Sequence, residues 1–195
     1  MQRRLVIGMS GASGAIYGIR LLEVLRTVAD VETHLVISRA AKQTAWHEAG
    51  YTMERVSALA DVTYPINDIS AAISSGSFKT AGMIVMPCSI KTLAGIANSY
   101  SDNLLLRAAD VTLKDRRRLV LVVRETPLHL GHLQAMTRIT EMGGIIAPPV
   151  PAFYHLPQTI DDIINQTVNR MLDLLDIELD NDLFTRWQGM NPAGE

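Results

Sequence analysis

Cysteine, an excess of one charge and long apolar runs are missing or nearly missing from this sequence. Its single cysteine, Cys88, excludes an internal disulfide and is typical of a protein in a reducing cytosol. No apolar run reaches the roughly 18–20 residues that a membrane-spanning helix needs. The chain has 18 basic and 20 acidic residues, so no charge excess favours nucleic acid or an anionic membrane as a partner. The apolar run after Arg4 is too short for a signal-peptide core, and we expect a cytoplasmic protein.

The residues that are present fit one globular domain. The chain has 195 residues, 48% hydrophobic and 19% charged, which allows a sizeable core and is not the composition of a disordered chain. Short apolar runs alternate with stretches of helical period, which is the βαβ pattern of a parallel sheet. We predict a single α/β domain over residues 1–195, with a peripheral tail after about residue 180.

The predicted strands and helices alternate along the chain. Strands are predicted at 5–9, 31–37, near Val62, 81–86, 119–123 and 145–147. Helices are predicted at 15–29, 40–49, from Ser89 onward, 104–114, 128–142 and 161–177. In an open parallel sheet, ligands bind beyond the carboxyl ends of the strands, so the segments that follow the strands contain the candidate binding residues.

A glycine-rich turn at residues 8–14 follows the first predicted strand. Its glycines let the backbone approach a phosphate, the N–H groups of the next helix point at that phosphate, and Ser10 and Ser13 add hydroxyl donors. The spacing G-x-x-G-x-x-G is not the dinucleotide pattern, and the lysine of a P-loop is missing. Ser38 and Arg39 follow the second strand in place of the acid of NAD enzymes, which favours a mononucleotide. The alternative is a tight strand-to-helix turn that binds nothing.

The segment after the 81–86 strand predicts a second anion site. Ser89 is a good helix N-cap, and Lys91 and Thr92 follow in the first helical turn. Ordinary capping without a ligand is the alternative. Cys88 is predicted to be a buried structural residue rather than a nucleophile, because no histidine lies near it in the sequence.

Several basic residues each admit two interpretations. Arg107 and Lys114 lie seven residues apart on one helix face, which is either solvated or functional. Arg124 and Glu125 continue an apolar strand into the rim of the sheet, where they either bind a ligand or form a surface ion pair. Arg170 borders the apolar stripe of the last helix and either reaches solvent or points into a site.

Three further side chains carry less information. Tyr154 lies in the proline-rich loop before the last helix. His129 and His132 lie three residues apart near a helix start, but no third ligand joins them at a suitable spacing, and we expect no metal site. The sequence has no G-x-S-x-G nucleophile elbow, so a hydrolase triad is not indicated.

Taken in order, these segments resemble the UbiX-type flavin prenyltransferase family over nearly the whole chain. The matching segments are GMSGASGA at 8–15, ISRAA at 37–41, PCSIKTL at 87–93, DNLLLRAADV at 102–111, LK at 113–114, VRETP at 123–127 and PAFYH at 151–155. Each motif is modest alone, but the ordered set is specific.

The resemblance implies a fold and a reaction. The fold is a three-layer α/β/α, flavodoxin-like (Rossmann-like) domain, assembled into a dodecamer with FMN between subunits. The activity is transfer of a dimethylallyl group from dimethylallyl phosphate to N5 and C6 of reduced FMN, without a metal. The product is the cofactor of UbiD-type decarboxylases.

The resemblance also implies roles for individual residues. FMN is expected to contact Gly11, Ala12, Ser13, Ser38, Ser89, Ile90, Lys91, Thr92 and Arg124. Dimethylallyl phosphate is expected to contact Arg107 and Lys114 from a neighbouring subunit, together with Arg124, Tyr154 and Arg170. Glu48 and Glu125 match the family's acids near the reacting groups, and Ser13 is expected between the two phosphates as a further catalytic residue. Position 91 varies within the family, so Lys91 is expected to reach FMN through its backbone.

Two alternatives share the expected fold. One is an FMN-dependent decarboxylase of peptidyl or pantothenoyl cysteine, but its Pro-Ala-Ser-Ala-Asn-Thr type of segment is replaced here by residues 87–92, which lack the asparagine. The other is a flavin-binding partner of a decarboxylase that has no chemistry of its own. The retained basic set argues against that second alternative.

Overall fold

The computed structural model describes residues 2–189; residues 1 and 190–195 of the predicted domain lie outside the described residues. The strands are β1 (Arg3–Met9), β2 (Val31–Ile37), β3 (Val62–Tyr64), β4 (Gly82–Cys88), β5 (Arg118–Val123) and β6 (Ile145–Ile146). The helices are α1 (Ala15–Leu25), α2 (Arg39–Ala49), α3 (Met53–Ser57), α4 (Ile90–Ala97), α5 (Leu104–Lys114), α6 (Leu130–Glu141) and α7 (Ile160–Leu174), with a 3-10 turn at Ala72–Ser74.

The six strands form one sheet in the order β3-β2-β1-β4-β5-β6. Every strand pair of this sheet is parallel. The chain runs outward from β1 to β3 and then crosses to β4 on the other side of β1, so the strand order reverses between β1 and β4. Doubly wound sheets bind ligands at such a switch point.

Helices cover both faces of the sheet. On β1, Ile7 belongs to a core cluster with α1, α2 and α7, whereas its neighbour Val6 belongs to a second cluster with α4, α5 and α6. Successive strand residues point to opposite faces, so a strand covered on both faces is apolar over most of its length. This arrangement confirms the predicted three-layer α/β fold. No helix within residues 2–189 combines the length and apolarity that a bilayer crossing requires.

Some boundaries differ from the sequence-based prediction. Helix α1 ends at Leu25 rather than at residue 29, because the N–H groups of Thr27 and Val28 bond three residues back, to Val24 and Leu25. Helix α3 was not predicted; the side chain of its N-cap, Thr52, accepts a hydrogen bond from the Arg55 N–H at 3.3 Å. The expected 161–177 helix is the range Ile160–Leu174.

Candidate functional site

Ser10 joins the two strands between which the sheet order reverses. Its hydroxyl donates to the carbonyl of Pro87 at 3.1 Å and accepts from the N–H of Ser89 at 2.7 Å. The side chain is buried, with 1% of the residue's surface exposed. Ser10 therefore fixes the end of β4 against the end of β1, where the topology predicts a ligand.

A cavity of about 600 Å³ opens at this switch point. It is lined by Ser10, Gly11, Ser38, Arg39, Ala40, Gln43, Ile66, Asn67, Ser89, Lys91, Thr92, Asp102, Asn103, Leu105 and Leu106. Five of the nine residues expected to contact FMN lie in this lining: Gly11, Ser38, Ser89, Lys91 and Thr92. The volume is in the range of small-molecule sites.

Two helices begin at the cavity. The side chain of Ser38 accepts from the N–H of Ala41 at 3.1 Å and caps α2. The side chain of Ser89 accepts from the N–H of Thr92 at 3.4 Å and caps α4. Capping and anion binding are compatible, because a cap occupies one orphan N–H and leaves others of the first turn to a ligand.

Backbone geometry requires glycine at two positions of the glycine-rich turn, Gly11 and Gly14. A β-carbon at Gly11 would lie 2.3 Å from the β-carbon of Ala40, so only glycine lets the turn approach α2 this closely. Gly14, the N-cap of α1, has a φ of 97°, which favours glycine. The alternative of a tight structural turn therefore accounts for part of the motif.

A carboxylate of the chain itself occupies the start of α1. Glu48 accepts from the N–H groups of Gly14 and Ala15 at 2.8 and 3.2 Å. This differs from the expectation that the first N–H groups of the helix point at a bound phosphate. Desolvation alone would raise the pKa of Glu48, but hydrogen bonds from Ser13, Gly14 and Ala15 and the charge of Arg124 hold it below its ordinary value. Glu48, Ser13 and Arg124 thus form one group.

Ala12, Ile90 and Glu125 were also expected near the flavin, and they do not line the switch-point cavity. Ala12 is buried in the glycine-rich turn, and Ile90 lies on the first turn of α4 and packs partly against the core. Glu125 is exposed and accepts from the N–H of Thr126 at 2.9 Å.

A second cavity of about 630 Å³ contains Tyr154 and Arg170. It is lined by Tyr154, Gln166, Arg170, Phe184, Arg186 and Trp187. The Tyr154 hydroxyl accepts from the side-chain amide of Gln166 at 3.2 Å, and Nη1 of Arg170 donates to Asp173 at 2.6 Å. Two residues expected to bind the substrate phosphate therefore share one cavity.

Arg107 and Lys114 lie elsewhere in the chain. Arg107 donates to Asp110 at 2.8 Å and to the carbonyl of Ser74 at 3.2 Å, and Lys114 donates to Asp115 at 2.6 Å. Both belong to α5, which packs on one face of the sheet, whereas α7 with Arg170 packs on the other. A single subunit therefore does not combine all the expected phosphate ligands in one cavity.

The cysteine and the histidine pair have structural roles. Cys88 is fully buried, and desolvation raises the pKa of its thiol, so the side chain is not poised as a nucleophile. The rings of His129 and His132 lie 3.6 Å apart, and His129 caps α6 by accepting from the N–H of Gly131 at 3.0 Å. Within residues 2–189 no three His, Cys, Asp or Glu side chains form a group that could hold a metal ion.

Sequence reasoning missed several residues of these cavities. Ser10 was noted only as a hydroxyl donor, whereas it bridges β1 and β4. The segment after residue 180, expected to be peripheral, contributes Phe184, Arg186 and Trp187 to the second cavity. Two of the five Phe and Trp residues of the chain lie in this short segment, and that concentration was the available signal.

Known protein families and curated relatives are similar to this chain over most of its length. The family model described as Flavoprotein matches residues 1–172. The flavin prenyltransferase UbiX of Salmonella typhimurium is 66% identical over 187 residues, which is 96% of this chain and 99% of the relative. The same enzyme of Escherichia coli (strain K12) is 65% identical, with the same coverage.

Solved structures agree. The crystal structure of AnUbiX (PadA1) in complex with FMN and dimethylallyl pyrophosphate is 52% identical, with a TM-score of 0.94, and the match covers 98% of this chain and all of that one. A dodecameric FMN-dependent UbiX-like decarboxylase from Escherichia coli O157:H7 is 51% identical, with a TM-score of 0.91, covering 96% of this chain and all of that one. The peptidyl-cysteine decarboxylase EpiD is 16% identical, with a TM-score of 0.62 over 78% of this chain and 84% of that one, and shares the fold alone.

Proposed function

The chain belongs to the UbiX flavin prenyltransferase family, and we propose from its two cavities how it transfers a dimethylallyl group to FMN. The earlier resemblance is thereby confirmed. The protein is a flavin prenyltransferase, and FMN is both its cofactor and the molecule that is prenylated. The observation that carries the mechanism is the cavity at the β1–β4 switch point, with two capped helix N-termini beside it.

The residues of that cavity fit a flavin mononucleotide. Hydroxyls of Ser38, Ser89 and Thr92 and the first N–H groups of α2 and α4 suit one phosphate group. The end of β2 offers no acid for the ribose of a dinucleotide. Bound reduced FMN supplies an electron-rich ring to be alkylated at N5 and C6, and Ala12, Ser13, Ile90 and Arg124 complete the set proposed to hold it.

The substrate is proposed to be dimethylallyl phosphate, bound where two subunits meet. Tyr154 and Arg170 come from one subunit, and Arg107 and Lys114 come from its neighbour, since α5 and α7 lie on opposite faces of the sheet within one chain. A homo-oligomer, a dodecamer as in the Escherichia coli O157:H7 relative, brings the two sets together.

The basic residues and Glu48 have distinct chemical tasks. Breaking the allylic C–O bond leaves its electron pair on the phosphate, and guanidinium and ammonium groups stabilise that developing charge, as a metal ion would elsewhere. The bond to N5 replaces that C–O bond, and the N5 proton leaves with the phosphate. The bond to C6 replaces the prenyl double bond, which gains one proton while C6 loses one. Glu48 has a lowered pKa and is ionised near neutral pH, so it is free to accept the proton lost from C6. Glu125, exposed beside Arg124, is the proposed second acid–base residue, and Ser13 links Glu48 to the phosphate site.

Prenylated FMN is proposed to pass to a UbiD-type decarboxylase in the cytoplasm. The flavin product must leave its cavity intact, since the chemistry it enables occurs in another protein. This step distinguishes the protein from a decarboxylase that keeps its flavin.

Anaerobic incubation with reduced FMN and dimethylallyl phosphate tests the function. The expected result is a flavin whose mass has increased by one prenyl unit, measured by mass spectrometry of the released cofactor. Bound FMN of unchanged mass would contradict the proposal. Release of carbon dioxide from a peptide ending in cysteine would instead support the decarboxylase alternative. If FMN binds but neither prenylated flavin nor carbon dioxide is formed, the result would support a non-catalytic flavin-binding partner.

A further inference from the structure

The segment 181–187 is fastened to α7 by a buried amide. Asn169 of α7 is 1% exposed, and its side-chain oxygen accepts from the N–H of Leu183 at 2.7 Å. Its side-chain nitrogen donates to Asp182 at 3.3 Å. A buried amide that is satisfied on both sides fixes the segment in one register on the helix.

This anchoring places Arg186 beside Arg170. Nη1 and Nη2 of Arg186 donate to the two carboxylate oxygens of Asp173 at 2.9 and 2.8 Å, a bidentate pair. Arg186 also donates to Asp182 at 2.5 and 2.6 Å. Nη1 of Arg170 reaches the same Asp173 at 2.6 Å. One carboxylate is therefore shared by two guanidinium groups.

Part of the Arg170 guanidinium group remains free to donate hydrogen bonds to a ligand. Within residues 2–189 its Nε and Nη2 have no hydrogen-bond partner, and 47% of its side chain is exposed to the cavity and solvent. The side chains of Phe184 and Trp187, from the same segment, meet the ring of Tyr154 edge to face at 6.3 and 6.0 Å. The segment thus touches both side chains that are proposed to bind the substrate phosphate in this subunit.

The charge balance of the group depends on Arg186. Two arginines and two aspartates cancel to zero. Without Arg186 the sum becomes −1, and Asp173 has Arg170 as its remaining partner. A carboxylate with one guanidinium partner draws that guanidinium toward itself and repels an incoming phosphate.

We propose that Arg186 is a positioning residue for the substrate phosphate: by neutralising Asp173 it leaves the free edge of Arg170 available to bind that phosphate. The inference rests on the proposed role of Arg170 in binding dimethylallyl phosphate. It gives the C-terminal segment a function in substrate affinity, in addition to its packing on α7.

The test is steady-state kinetics of an Arg186→Gln variant with dimethylallyl phosphate. The KM for dimethylallyl phosphate is expected to rise about ten-fold, equivalent to about 1.4 kcal/mol, with kcat and the Kd for FMN nearly unchanged. Adding Asp173→Asn removes the carboxylate that captures Arg170, so the double variant is expected to recover most of the wild-type KM. A purely structural role predicts no such recovery. Arg3→Gln, which breaks an ion pair of 2.8 Å with Asp30, is the matched control with wild-type kinetics.

The outcomes separate this inference from the function on which it rests. If Arg170→Gln raises KM but Arg186→Gln does not, the inference is wrong and the phosphate site stands. If Arg170→Gln leaves KM unchanged, the proposed role of Arg170 is wrong and the inference fails with it. Should Arg186→Gln fold poorly by circular dichroism, Arg186→Met replaces it, because methionine also removes the charge while keeping an unbranched side chain. An unchanged KM for that variant overturns the inference, whereas Arg186→Lys, which keeps the positive charge, is expected to stay near the wild-type KM.

Discussion

Replacing Glu48 by glutamine removes one negative charge from the start of α1 while keeping the shape of the side chain. The carboxylate accepts two backbone N–H bonds at 2.8 and 3.2 Å, and the glutamine oxygen can still accept from the same donors. The lost interaction between the carboxylate and the helix N-terminus is worth about 0.3–1 kcal/mol at an exposed position. Folded domains have stabilities of about 5–15 kcal/mol, so the variant is expected to fold.

The effect on turnover is expected to be much larger. Loss of a general base costs about 100-fold or more in rate, which is about 2.7 kcal/mol or more of transition-state stabilisation. Glu48 is not among the residues proposed to hold FMN, and glutamine keeps its shape and its two backbone contacts, so the Kd for FMN is expected to stay near the wild-type value. A large fall in kcat with unchanged flavin affinity and a small fall in stability is therefore the expected signature.

The assay is anaerobic formation of prenylated FMN, followed by mass spectrometry at saturating concentrations of both substrates. Asp61→Asn is the matched control, because Asp61 accepts from the N–H and hydroxyl of Thr33 at 2.7 and 2.8 Å near the amino end of β2, away from the site. That control is expected to lose stability and keep full turnover. Turnover of Glu48→Gln within about three-fold of wild type would remove Glu48 from the proton-transfer step.

Three further predictions follow from particular residues. Gly11→Ala places a β-carbon 2.3 Å from that of Ala40, so the turn must move; we expect FMN affinity to fall at least about ten-fold in a flavin-fluorescence titration, and wild-type affinity would refute the close approach. Cys88 is fully buried, so a thiol reagent is expected to modify it only after unfolding, and rapid labelling of the native protein would show an exposed thiol instead. Asp61 has its pKa lowered by the Thr33 N–H. Its contribution to stability is therefore present above its ordinary value of 3.8 and is lost as the pH falls through the lower folded value. Urea denaturation between pH 5 and 2 is expected to show a flatter pH dependence for Asp61→Asn than for wild type, and identical slopes would contradict this.

The four longest strands, β1, β2, β4 and β5, were predictable because most of their residues are buried. β2 matches its predicted range of 31–37 although the polar residues 32–34 interrupt its apolar sequence, and α5 matches 104–114 because its helical periodicity is clear. The end of α1 was overestimated, because apolar spacing does not reveal where helical bonds shorten to three residues. Helix α3 has five residues, too few to show a period.

The site was predictable only where topology determines it. Ser38 and Ser89 follow parallel strands, so their position at one edge of the sheet follows from the βαβ pattern. The contact of Glu48 with the start of α1 joins residues 34 positions apart, and only the family resemblance had placed Glu48 near the reaction. The bond between Arg186 and Asp173 depends on how the chain after α7 returns onto that helix, which no local pattern encodes.

The central claim is that one active site is assembled from two subunits, with Lys114 on one and Arg170 on the other. Co-expression of differently tagged Lys114→Ala and Arg170→Gln chains tests it most directly, assayed at a dimethylallyl phosphate concentration far below the KM of either variant, where each variant alone is expected to form almost no product. If the site is shared, about a quarter of the sites in an equal mixture combine an intact Lys114 with an intact Arg170, and prenylated FMN is formed at about that fraction of the wild-type rate. If both residues act within one subunit, every site lacks one of them, and a mixture as inactive as its two parents would contradict the account.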